Sequence, residues 1–113
     1  MQLSKELVAA SATPLILSVL SQGESYGYAI IKKVADLTND EVQWSDGMLY
    51  PVLHRLEKQG YIVSEWKKAD TGRRRKYYRL EPGGVTALKE EKKKWTIMNN
   101  ALSTLWEEKP CLI

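Results

Sequence analysis

Tyr61-Ile62-Val63-Ser64-Glu65-Trp66-Lys67-Lys68-Ala69-Asp70-Thr71-Gly72-Arg73-Arg74-Arg75-Lys76-Tyr77-Tyr78-Arg79-Leu80 is the stretch on which the reading of this chain turns. Its two ends, 61–66 and 76–80, are β-branched and aromatic, the composition of strands. Lys67 to Gly72, closing on Asp70-Thr71-Gly72, reads as the connecting turn. The segment is therefore a two-stranded hairpin with a long basic tip. It holds seven basic side chains against two acidic ones, while the whole 113-residue chain has a formal charge of only +3. A charge of +3 is carried by many inert domains, but a concentrated patch is the electrostatic footprint of a polyanion. The bland alternative is a solvated hairpin with incidental charges.

Upstream of the hairpin the period is helical. Leu7, Val8, Leu15, Ile16, Val19 and Leu20 recur at helical spacing, with Thr13-Pro14 midway. Pro14 either kinks one helix or opens a second with Thr13 as its cap, and Gly23 marks the stop. Ser25 is the expected cap of the next helix, whose apolar face is Ile30, Ile31, Val34 and Leu37 and whose break is Asn39-Asp40. Ser45 or Asp46 caps a third helix carrying Leu49, Val52, Leu53 and Leu56 and ending at Gly60. Pro51 must then lie within about the first turn and a half.

Downstream, Pro82 suits a first helical position, and a long helix is expected to about Trp106. Val85, Leu88, Trp95, Met98, Leu102 and Leu105 form its apolar stripe, interrupted by Lys92.

Several function classes are excluded by composition. Cys111 is the only Cys and His54 the only His, so there is no internal disulfide, no Cys/His metal spacing and no seed of a Ser-His-Asp triad. Cys111 reads as a free thiol in a reducing compartment. The apolar runs fall far short of a membrane span, and the chain reads as cytoplasmic, without cofactor or metal.

Helix, helix, short link, helix, basic hairpin is the order of a winged helix-turn-helix, in which the third helix enters the major groove and the hairpin contacts the flanking backbone. The expected fold is mainly α with a small β-hairpin. Residues 1–81 are read as the DNA-binding domain, 82–108 as a dimerisation helix and 109–113 as a tail. The stripe on the long helix needs a partner, and a second copy of the chain supplies one together with a second recognition helix.

The runs Tyr26-Gly27-Tyr28-Ala29-Ile30, Leu49-Tyr50-Pro51-Val52-Leu53-His54-Arg55-Leu56-Glu57, Gly60-Tyr61-Ile62 and Gly72-Arg73-Arg74-Arg75-Lys76-Tyr77-Tyr78-Arg79-Leu80 resemble the PadR family of bacterial transcriptional regulators. One short C-terminal helix is similar to the small subgroup of that family. The resemblance implies a homodimeric, drug-responsive repressor that binds an inverted-repeat operator. Glu81 stands where the family usually has a Thr opening the last helix.

Tyr50, His54 and Lys58 stand four residues apart and share one face of the third helix. That face, with Ser45, Asp46, Gly47 and Pro51 at its leading end, is the expected major-groove surface. Tyr50 has the alternative of packing against the wing. Arg73, Arg74, Arg75 and Lys76 divide between the two sides of a strand, and the exposed ones, with Lys67 and Lys68, are expected to meet phosphates or the minor groove. Tyr26 and Gly27 open the second helix, where backbone N–H groups can hold a phosphate; a tight helix contact needing Gly is equally open. Tyr77, Tyr78, Leu80 and Trp66 read as core rather than contact residues.

By resemblance to the drug-responsive subgroup, Trp95 flanks a cavity between two protomers, where paired indoles sandwich a planar hydrophobic effector. Leu7, Ala10, Met98, Asn99 and Leu102 belong to the same interface. The alternative is that Trp95 only fills the dimer core. The other reading of the whole chain is a winged-helix module that has lost DNA binding and takes an acidic protein partner.

Overall fold

The computed structural model describes residues 2 to 107, so the tail at 109–113 and its Cys111 lie outside the described residues. The elements run α1 (Lys5–Ser21), β1 (Ser25–Tyr26), α2 (Gly27–Leu37), α3 (Asp46–Lys58), β2 (Ile62–Lys68), β3 (Arg74–Leu80) and α4 (Pro82–Glu107). The strands form an antiparallel sheet in the order β1-β3-β2. This is the expected winged helix-turn-helix, mainly helical with a small sheet. No described helix is long and apolar enough to cross a membrane.

Local chemistry explains most boundaries. Ser4 caps α1 by accepting from the Leu7 amide, and the helix runs through Pro14 as a single element. Thr38 ends α2: its hydroxyl donates to the Val34 carbonyl at 2.8 Å and accepts the Val42 amide at 3.0 Å. The link then turns through Asn39 and Asp40, both at positive φ, and buries Val42 and Trp44. Ser45 caps α3, accepting from the Met48 amide. Pro51, one and a half turns in, removes only the bond to the Gly47 carbonyl.

Two expectations are corrected. Ser25 does not cap α2: it pairs with Tyr78 as part of β1, and α2 begins at Gly27 behind Tyr26, whose side chain makes no capping bond. Two ladder pairings to β3 replace the local cap. Trp66 is not a core residue, being 57% exposed.

The core gathers Ile16, Leu17 and Leu20 of α1, Ile30 and Val34 of α2, Leu49, Leu53 and Leu56 of α3, with Ile62, Tyr78 and Leu88 closing its floor. Leu80 is partly buried against it. Gly84 packs α4 onto this body, because a Cβ there would collide with the Tyr61 carbonyl. Glu81, in place of the family's Thr, starts α4 through its backbone: its carbonyl accepts from the Gly84 and Val85 amides, and its own amide donates to Tyr61. α4 lies along the body as far as Trp95 and runs on past it, and the protomer measures 65 Å along its long axis.

Candidate nucleic-acid interface

Strand register sorts the basic residues of the wing. Ile62, Ser64, Trp66 and Lys68 pair with Leu80, Tyr78, Lys76 and Arg74 and share one face; Val63, Glu65 and Lys67 pair with Arg79, Tyr77 and Arg75 on the other. The first face looks toward α3, since the Ser64 hydroxyl donates to the Glu57 carboxylate of α3 at 2.6 Å. The tip, 69 to 73, closes through bonds from the Ala69 amide to Arg73 and from the Gly72 amide to Ala69.

Among the described residues, the cations on the α3-facing side form no ion pair. The Arg74 guanidinium lies 5.6 Å from the Trp66 ring centre and the Lys76 ammonium 5.8 Å from that of Tyr78. No acid stands among the strand residues of this face. Burial, with Tyr50 and Glu57 nearby, pushes the Tyr78 phenol up to about 12, so it is neutral wherever the protein works.

The opposite side is tied down. Lys67 bonds both carboxylate oxygens of Glu24, at 2.9 and 2.7 Å, and Arg79 meets Glu65 at 3.3 Å. The Glu24 bond raises the Lys67 ammonium above its ordinary value. Arg75 stacks 4.4 Å over Tyr26, which meets Tyr77 edge to face at 5.4 Å. Tyr26 therefore anchors the sheet.

Between α3 and the wing lies an open groove of about 620 Å³. Gly27, Tyr28, Tyr50, Trp66 and Tyr78 line it, with Arg73 to Lys76 along one lip. Tyr50 reaches back across it to α2: a Cβ at Gly27 would lie 2.5 Å from the Tyr50 hydroxyl. Gly27 thus makes the tight packing contact, and Tyr50, 45% exposed, keeps one side of its ring open. Ser45, Asp46, Gly47, Pro51, His54 and Lys58 are all exposed on the same helix. Lys68 is exposed near the tip and Lys67 is held by Glu24.

Sequence reasoning passed over Tyr28 and Glu24 and read Trp66 as core. Trp66 has the strand parity of Ile62, which is core, but stands four residues farther along the strand, about 13 Å from it. Parity was legible; the projection of the hairpin past the body was not.

The Trp95 region is separate. Its indole, 38% exposed, borders a shallow groove of about 270 Å³ with Ser11, Pro14, Leu15 and Ser18 of α1. Leu7, Ala10, Met98, Asn99 and Leu102 are exposed and do not line that groove within one protomer.

The model of the transcriptional regulator PadR-like family matches residues 16–90. A transcriptional regulator of Mycobacterium tuberculosis is 45% identical over 58 residues, 51% of this chain and 53% of that protein. Among solved structures, a transcriptional regulator from Clostridium thermocellum aligns with a TM-score of 0.79 at 32% identity, covering 90% of this chain and 96% of the other. A PadR family regulator from Eggerthella lenta aligns at 0.75 and 34% identity, covering 92% and 88%. The family model spans the end of α1, α2, α3, the wing and the start of α4, and the chain belongs to the PadR-like family of transcriptional regulators and is not an enzyme.

Proposed function

We propose that this chain is a homodimeric repressor that acts on DNA in the cytoplasm. Each α3 enters the major groove of one half of an inverted repeat, and each wing grips the flanking backbone. One observation carries the reading: Tyr50, on the exposed face of α3, and the acid-free face of the wing border one groove. Seven residues, Ser45, Asp46, Gly47, Tyr50, Pro51, His54 and Lys58, present the edge-reading surface. Arg74, Lys76 and Lys68, with Arg73 at the tip, supply the phosphate contacts.

The division into a DNA-binding part, 1–81, and a pairing helix, 82–108, is supported by α4. Its outer half leaves Met98, Leu102, Leu105 and Trp106 uncovered on one stripe, over a helix that spans about 39 Å. A second α4 covers that stripe and sets two recognition helices about 34 Å apart, one turn of duplex.

A planar hydrophobic effector fits the Trp95 region of such a dimer. There the partner closes the open side of the groove and brings up exposed Leu7, Ala10, Met98, Asn99 and Leu102. Coupling to DNA runs through α1: Pro14 borders the Trp95 groove, while its neighbour Thr13 accepts a 2.9 Å bond from Arg55 of α3. A ligand that binds the two dimer geometries unequally shifts their populations, and hence the spacing of the recognition helices.

The test is a footprint on the DNA upstream of the protein's own coding sequence, repeated with a planar aromatic dye present. A protected inverted repeat that is lost on adding the dye is expected. Binding of an acidic protein without protection of any duplex would overturn the reading.

A further inference from the structure

Trp66 is the one large apolar side chain of the strands that stands exposed. It lies directly opposite Lys76, with the Arg74 guanidinium 5.6 Å from its ring centre and Lys68 next on its own strand face. Glu57 of α3 accepts a hydrogen bond from Ser64, two residues nearer the body on the same strand face, and forms no ion pair with Arg74 or Lys76 among the described residues. Beyond what Arg74 covers, the indole leaves apolar surface facing water, and Arg74 and Lys76 beside it have no ion pair among the described residues. An occupant that relieves both must carry regularly spaced anions and offer apolar edges between them. A duplex backbone does so, with its phosphates alternating with deoxyribose rings. The groove is also continuous with the open side of Tyr50 on α3, so a duplex seated on that helix reaches Trp66 without a change of course.

We propose that Trp66 is itself a DNA contact, its indole packing on deoxyribose edges while Arg74 and Lys76 beside it take the phosphates. This rests on the DNA-binding reading and adds a non-ionic contact to it. Because no charge is lost on removing it, Trp66 contributes affinity without salt dependence.

The experiment measures binding of the full-length protein to a mixed-sequence duplex of about 40 base pairs across a salt series. Trp66→Ala should weaken binding about tenfold, with the slope of log K against log salt unaltered. Trp66→Phe, which keeps an aromatic face, should recover to within about threefold of wild type. Both variants should melt like wild type, because the side chain is exposed. In protein labelled with 5-fluorotryptophan, the resonance missing from Trp66→Phe should be the one that shifts when the duplex is added. Unchanged affinity in Trp66→Ala overturns the proposal. So does a slope that falls along with the affinity, since the indole would then only seat Arg74. If wild type binds polyglutamate and no duplex at low salt, the DNA-binding reading fails as well.

Discussion

The two faces of the wing are built from the same short hairpin and nearly the same residue types, yet they do opposite things. Toward α3, Arg74 and Lys76 stand against the Trp66 and Tyr78 rings with no acid among the strand residues of their own face. On the far side, Lys67 and Arg79 are paired with Glu24 and Glu65, and Arg75 lies on Tyr26. Charge density alone does not mark a binding surface. What marks it is the subset of charges the protein leaves uncompensated, and alternation along β3 makes that division residue by residue.

The strongest way to break the comparison is to remove the α3-facing cations. Arg74→Ala with Lys76→Ala should weaken duplex binding about a hundredfold near 0.1 M salt, measured by fluorescence anisotropy. Next comes the floor of the groove. Gly27→Ala places a methyl against the Tyr50 hydroxyl and turns that ring outward. It should lower affinity several-fold while changing stability in urea by no more than about 1 kcal/mol, because the displaced ring end is half exposed.

A smaller effect of opposite sign is expected on the far face. Glu24→Gln releases Lys67 and should tighten binding about twofold at low salt, the gain fading as salt rises. Stability should hardly move, since both partners of that pair are well exposed.

The last effect is silent at neutral pH. The Tyr78 phenol is raised from 10.0 to about 12 in the folded protein, so the folded state holds its proton where the unfolded chain has lost it. Its contribution is present in full below pH 10 and is lost between pH 10 and about 12. Tyr78→Phe should flatten that part of a stability-versus-pH curve, showing that the α3-facing side is rooted in the core.

Much of this was written in local pattern. The change of period at Tyr61, Ser45 before the third helix and Pro82 opening the last each act within a few residues, so helix order, the hairpin and the cap of the third helix were legible. What escaped depends on contacts across the fold. Ser25 has the chemistry of a cap, but pairing with Tyr78 outweighs one capping bond. Lys67 looked like any exposed cation until its partner, 43 positions away, was placed beside it. Trp66 has the parity of a core residue and becomes a surface residue only because the hairpin outruns the body.

The central claim is that DNA meets one face of the wing and not the other. The most direct measurement compares the salt slope of duplex binding for two double variants, Arg74→Ala with Lys76→Ala and Lys67→Ala with Arg79→Ala. If a dimer neutralises roughly eight phosphates, the wild-type slope is about −7, and the first pair should bring it to about −4. The second pair should leave it within about one unit of wild type. Equal loss of slope in both pairs would contradict the account.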